Sequence, residues 1–142
     1  MKTSYKIALF VVFFIALAGI LAALYFYNLQ PKDLQNVRPD FVMTSTELHK
    51  TFENDEVSAS TRYLKKIIEV SGIVESVEQG ENNSLNISLK TDSELSSVIC
   101  TVQSVTGPSE FNPGDQITLR GECSGFLMDV LLNNCTIIQE KE

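Results

Sequence analysis

The chain has 142 residues, 44% hydrophobic and 20% charged, with a formal net charge of −7. From residue 41 onward, seven Lys/Arg stand against sixteen Asp/Glu, a balance of −9. That balance disfavours nucleic acid, which is held largely by cationic contacts to phosphate, and favours a cationic partner or ligand.

The first element is an uncharged apolar run over residues 7–27. At about 1.5 Å per residue it spans roughly the 30 Å hydrocarbon core of a bilayer. Lys2 and Lys6 precede it, whereas the far flank carries Lys32 beside Asp33 and Arg38 beside Asp40. The positive-inside rule therefore places residues 1–6 in the cytoplasm, makes 7–27 a transmembrane helix and puts everything after it outside. The alternative is a cleaved signal peptide, because Ala16-Leu17-Ala18 has the small-x-small form of a cleavage site. Cleavage there would leave an apolar N-terminus ending in Tyr25, Phe26 and Tyr27, aromatics better suited to an interfacial belt. No cysteine lies near the run, so a lipid-modified cysteine is not expected.

Residues 28–40 carry Pro31 and Pro39 and little apolar periodicity, and read as a linker to one domain over 41–142. Roughly a hundred residues suffice for one small core. Thr44 followed by Glu47 is a capping-box pattern, with Leu48 and Phe52 on the apolar face, Val42 before the cap as an apolar contact, and His49, Lys50, Glu53 and Asn54 covering the polar face. A second short helix is expected over 56–63.

After Lys66 the pattern becomes alternating. Ile68, Val70 and Val74 form the inward row of a first strand that Gly72 bends or bulges, and 79–84 is a turn. Leu85, Ile87 and Leu89 mark a second strand, and Val98, Cys100 and Val102 a third. Asn112-Pro113-Gly114-Asp115 is a tight turn. Ile117, Leu119, Gly121 and Cys123 face inward from a fourth strand, Gly125 begins the reversal, and Val130, Leu132, Cys135 and Ile137 belong to a fifth, bulged near Asn133 and Asn134. Five such strands with internal glycines suit a mainly β, five-stranded Greek-key barrel with the capped helix over one end; a small sandwich is the alternative.

Cys100, Cys123 and Cys135 lie in the part that the topology places in an oxidising compartment. One disulfide and one leftover thiol is the arithmetic, with Cys123 and Cys135 the preferred pair because both flank one predicted hairpin. Three buried free cysteines are the alternative. No CxxC spacing is present, and the only histidine, His49, lies on a predicted helix.

Two stretches together, Thr46-Glu47-Leu48 and Tyr63-Leu64-Lys65-Lys66-Ile67-Ile68-Glu69-Val70-Ser71-Gly72-Ile73-Val74, resemble the opening of the bacterial tRNA_anti-like family of OB-fold domains. Gly114-Asp115, Gly121-Glu122-Cys123-Ser124-Gly125 and Asp129-Val130-Leu131-Leu132-Asn133-Asn134-Cys135 resemble its closing strands. The resemblance covers residues 41–138 and implies an OB-fold barrel. Fold by itself does not imply function.

An OB surface for single-stranded nucleic acid needs aromatics for base stacking and a basic groove. Beyond Tyr63 the aromatics are Phe111 and Phe126, each in a predicted loop, and the one local basic cluster is Arg62, Lys65 and Lys66. Asp115 with Glu122, and Glu75 with Glu78, are ordinary members of an acidic surface, and the oxygen donors of loop 78–83 fit no calcium-loop spacing. Neither a catalytic set, a metal site nor a cofactor motif is expected. The sequence therefore points to a non-enzymatic membrane-tethered module in the bacterial inner membrane, its domain periplasmic, binding an envelope protein or small ligand through loops near Phe111 and Phe126. The alternative is a nucleic-acid-binding domain that contacts phosphate through Arg62, Lys65 and Lys66.

Overall fold

A computed structural model describes residues 2–27, 33–103 and 111–138. It comprises two compact units, Met1–Pro31 and Lys32–Glu142. In the first unit, α1 (Lys2–Tyr27) is one continuous helix without an acidic residue in its first turn or a basic one in its last. Its apolar residues lie on every side, so no stripe is set aside for packing on a soluble core. The stretch Thr3–Tyr27 is long and apolar enough to cross a membrane.

The second unit runs β1 (Phe41–Thr44), α2 (Ser45–Asn54), α3 (Glu56–Tyr63), β2 (Ile67–Gln79), a 3-10 turn (Glu81–Asn83), β3 (Leu85–Leu89), β4 (Val98–Val102), β5 (Gln116–Leu127) and β6 (Asp129–Ile138). The ladder runs β1-β2-β3-β4-β6-β5, and β2 also pairs with β5. That last pairing closes strands β2 to β6 into a five-stranded barrel, with β4 and β6 parallel and the other four pairs antiparallel. Closure removes the free edges that a sandwich would leave.

The sixth strand, β1, pairs in parallel with the first half of β2. Its four residues are too few for a legible alternation, and they overlap the capping signal of α2. Phe41 and Met43 pack against the core, whereas Val42, expected as an apolar contact, is exposed.

Two irregularities sit elsewhere than the glycines suggested. In β2 the register shifts between Val74 and Ser76, not at Gly72. Gly72 instead makes room for α2: a Cβ there would lie 2.6 Å from Ser45 Oγ, which donates to the Lys90 carbonyl at 2.6 Å. β5 likewise continues past Gly125 to Leu127, and the reversal falls at Met128, whose φ is 71°. The expected bulge near Asn133 is present: Glu122 pairs with Asn133 but Arg120 with Thr136, and Asn134 has φ 52°.

The core fills the barrel with alternate residues of all five strands, and Leu48, Phe52, Ala59 and Tyr63 of α2 and α3 pack against that cluster. Each fully buried Leu, Ile, Val or Phe contributes about 1.5–3 kcal/mol. The domain also begins earlier than residue 41. Leu34 is buried, and Arg120 Nη1 donates to the carbonyls of Leu34 and Gln35 at 3.0 Å and Val37 at 2.6 Å. The guanidinium is paired with Glu69, whose Oε2 accepts from Nε at 3.0 Å. Of the expected linker, residues 33–40 thus lie against the barrel unit, and 28–32 lie outside the described residues.

All three cysteines are buried and unbonded. Cys123 and Cys135, the expected pair, do not stand directly opposite each other in the β5–β6 ladder. Cys123 stands opposite Leu132, and the extra residue of the β6 bulge carries Cys135 up beside Gly121, where a Cβ would collide with its Sγ.

Candidate functional site

The site grows from α2. Thr44 caps the helix: its hydroxyl accepts from Glu47 N at 3.2 Å while its own N–H donates to Glu47 Oε2 at 2.9 Å. This box ends the strand and starts the helix within one residue, and its phase buries Ser45, Leu48, His49 and Phe52 along one stripe. His49, expected on the polar face, is therefore only 3% exposed. Its ring meets Phe126 edge-on at 6.0 Å, and its Nδ1 lies 3.9 Å from Glu53 Oε2 at the surface. Phe126 in turn stacks on Phe52, with centroids 5.4 Å apart and 22° between planes.

Above these rings opens a cleft of about 670 Å³ lined by His49, Glu53, Glu56, Ser96, Phe126, Leu127 and Met128. A volume of this size suits a small molecule or a short peptide segment. The β5–β6 hairpin tip supplies its apolar lip, with Leu127 79% and Met128 67% exposed. Leu95, next to Ser96, and Val57, next to Glu56, are also exposed apolar residues. The tip is tied to the chain ahead of β4: Asp129 Oδ1 accepts from Ser97 N at 2.7 Å and Ser97 Oγ at 3.2 Å. Asp129 is thus a strand-edge hydrogen-bond acceptor that ties the hairpin to the chain entering β4. Glu53 and Glu56 supply the charge of the cleft, and among the described residues no Lys or Arg lines it.

The sequence-predicted residues separate. Phe126 reaches the cleft but is half-buried in strand β5, and Phe111 is half-buried against the core and does not line it. Neither is the freely exposed loop ring expected, because β5 continues beyond Gly125 and Phe111 folds back on the barrel. Arg62, Lys65 and Lys66 do come together at the α3–β2 junction. Arg62 lies over the rings of Phe41 and Tyr63 at 5.4 and 5.6 Å, while Lys65 and Lys66 are exposed. Their backbone is zipped to β5, Lys65 N donating to Cys123 O at 2.8 Å and Cys123 N to Lys66 O at 3.0 Å.

Sequence reasoning missed His49, Leu127 and Met128 as cleft residues. The apolar run Phe126-Leu127-Met128 across a turn was the available signal, since a solvated turn has no use for three such side chains. Asp115 is absorbed in its turn, accepting from Asn112 N at 2.8 Å, and Glu122 is exposed further along β5. Among the described residues no group of three or more His, Cys, Asp or Glu is placed to hold a metal ion. The outward residues of β3 and β4 are Asn86, Ser88, Ile99 and Thr101, with Thr101 Oγ1 donating to Asn86 Oδ1 at 2.9 Å.

A closed five-strand ladder with helices ahead of its first strand agrees with the family comparison, in which tRNA_anti-like matches residues 1–137. The chain belongs to the tRNA_anti-like family. Sixteen chains of solved structures match this tRNA_anti-like protein. One is a protein of Klebsiella pneumoniae subsp. pneumoniae provisionally named a nucleic acid-binding lipoprotein, 15% identical, with a TM-score of 0.53, covering 68% of this chain and 91% of its own. At that identity the likeness is one of fold. No curated protein matches.

Proposed function

We propose that this tRNA_anti-like protein is a non-enzymatic binding module, held at the inner membrane by α1 with its barrel facing the periplasm, and that its cleft takes an envelope protein or a small ligand. The observation that carries this reading is the cleft at the β5–β6 tip, where apolar Leu127 and Met128 project over Phe126 beside the acidic Glu53 and Glu56. In OB-type barrels the loop between the fourth and fifth strands is a site for oligonucleotides and oligosaccharides; here it carries Leu127 and Met128 beside Glu53 and Glu56. Exposed apolar side chains beside carboxylates suit an occupant with an apolar surface and positive charge.

The test is quantitative capture of cross-linked partners from cells that make the full-length protein. Leu127→Glu with Met128→Glu should abolish capture while leaving the melting temperature unchanged, because both side chains are exposed, and Lys65→Ala with Lys66→Ala should leave capture intact. Unchanged capture by the doubly charged tip would overturn the assignment. Orientation is read separately by placing a cysteine at exposed Leu95 (Leu95→Cys) and labelling intact cells with a membrane-impermeant maleimide. Labelling before lysis supports the periplasmic placement, and labelling only after lysis refutes it.

A second reading, nucleic-acid binding, draws on the name given to the Klebsiella structure and on the clustered Arg62, Lys65 and Lys66. Against it stand the outward β3 and β4 residues, which offer neither a ring to stack on nor a cation. Titration with a single-stranded oligonucleotide separates the readings. Affinity that falls steeply with salt, and is lost in Lys65→Ala/Lys66→Ala, would establish this second reading.

A further inference from the structure

Cys100 on β4 and Cys135 on β6 both point into the barrel, on strands that are parallel neighbours. In that ladder Cys100 pairs with Leu132 and Val102 with Cys135, because the β6 bulge inserts an extra residue between the two pairs. The insertion sets the two thiols diagonally across the β4–β6 ladder, both buried inside the barrel, and near enough that Cys135 helps to raise the Cys100 pKa. Cys135 Sγ also lies 3.4 Å from the Leu132 carbonyl. Across the barrel wall, Gly121 leaves open the space that a Cβ would take from the same sulfur. Cys123 is set apart, opposite Leu132 on the β5 side.

We propose that Cys100 and Cys135 form a disulfide that ties β4 to β6 inside the barrel, leaving Cys123 as a buried free thiol. The reaction is exchange with a disulfide oxidant, either a protein disulfide or oxidised glutathione. One cysteine thiolate attacks an oxidant sulfur, giving a mixed disulfide and expelling one oxidant thiolate. The second cysteine thiolate then attacks the cysteine sulfur of that mixed disulfide and expels the other. Two protons leave the cysteines, and the two electrons reduce the oxidant to two thiols. In the folded barrel both sulfurs are sheltered from an oxidant, so exchange takes place before the barrel closes. The neighbouring Cys135 thiol and burial also hold the folded Cys100 thiol in its protonated form, which has the same consequence. This pairing differs from the one the hairpin suggests, because it joins parallel strands distant in sequence.

In cells the proposal rests on the periplasmic placement of the barrel, since a cytoplasmic barrel would meet a reducing pool. The experiment therefore has two arms. In the first, cells making the full-length protein are quenched in acid, unfolded, and alkylated with one label, then reduced and alkylated with a second, and the peptides are weighed. The expected result is the second label on Cys100 and Cys135 and the first on Cys123. A Cys123–Cys135 or Cys100–Cys123 link overturns the proposal. In the second arm, purified full-length protein in detergent is unfolded, reduced and refolded with oxidised glutathione. Three free thiols in cells with a Cys100–Cys135 link in this arm support the pairing and refute the periplasmic placement; three free thiols in both arms overturn the pairing. Cys100→Ser and Cys135→Ser should each lose the mobility shift on non-reducing gels, and Cys123→Ser should keep it.

Discussion

The ring of Phe126, from strand β5, lies stacked on that of Phe52, from helix α2, at 5.4 Å and 22°. This pair joins the capping helix to the strand that lines the cleft, so stability and binding meet at one contact. Phe52 is fully buried and Phe126 half-buried. Phe52→Ala should cost about 3–5 kcal/mol in urea unfolding and Phe126→Ala less. The double-mutant cycle should return a coupling of about 0.5–1.5 kcal/mol, and a coupling of zero would show that the two rings contribute independently.

Arg120 anchors the chain entering the domain. Its side chain is 13% exposed and that of Glu69 20%, and the guanidinium serves three backbone carbonyls as well as the carboxylate. Arg120→Met should destabilise the domain by about 3 kcal/mol, because it leaves Glu69 and those carbonyls without their donor. Amide exchange at Leu34 and Val37 should accelerate more than exchange in β3. Uniform acceleration would mean that the residue acts through the barrel alone.

The N-cap of α3 predicts an acid response. Asp55 Oδ1 accepts from Ser58 N at 3.1 Å and Oδ2 from Ser58 Oγ at 2.6 Å. These bonds hold its carboxyl below the usual range. A carboxylate whose folded pKa is lowered stabilises above its unfolded value, near 4, and loses that contribution as the pH falls through the folded value. Asp55→Asn keeps a capping side chain without the titration. Its melting temperature should lose less than the wild type's between pH 5 and pH 2, and equal losses would remove Asp55 from the acid response.

Cys123 titrates in the opposite direction. Burial pushes its thiol up to about 11, so the folded protein should resist maleimide at pH 7.5. The sign for stability follows: the neutral thiol stabilises fully below the unfolded value, near 8.5, and that contribution is lost as the pH rises towards 11. Cys123→Ala should therefore flatten the decline in stability between pH 8 and pH 11. A decline unchanged by the substitution would assign it to other groups.

Gly72 is required by packing, although its φ is ordinary. Gly72→Ala should cost about 1–3 kcal/mol, because the new methyl meets Ser45 Oγ at 2.6 Å and Leu89 Cβ at 3.3 Å. Ser45→Ala in the same chain should recover part of that loss, and failure to do so would move the clash to Leu89.

The residues of the barrel were legible wherever a strand buries one face. Leu85, Ile87 and Leu89, or Val98, Cys100 and Val102, alternate cleanly because each side chain sees either core or solvent. The capped helix was legible for a similar reason, since Thr44 and Glu47 satisfy each other locally. The candidate site was much less so. Phe126 was marked, but His49 was assigned to the wrong face and Leu127 and Met128 to nothing, because a helix stripe and a hairpin tip acquire their surroundings only when they are set against each other.

By itself, then, the sequence determined the apolar helix, the capped helix, the five alternating strands and the bulge at Asn134. All of these depend on contacts or solvation within a few residues. Tertiary structure alone decided the sixth strand, the burial of His49, the cleft under Leu127 and Met128, the service of Arg120 to the entering chain and the placement of Cys100 and Cys135 on neighbouring strands inside the barrel. Each of these joins groups far apart in sequence. The bulge in β6 is itself local, but which side chains it brings level across the barrel depends on the registers of the neighbouring strands β4 and β5, which are far away in sequence.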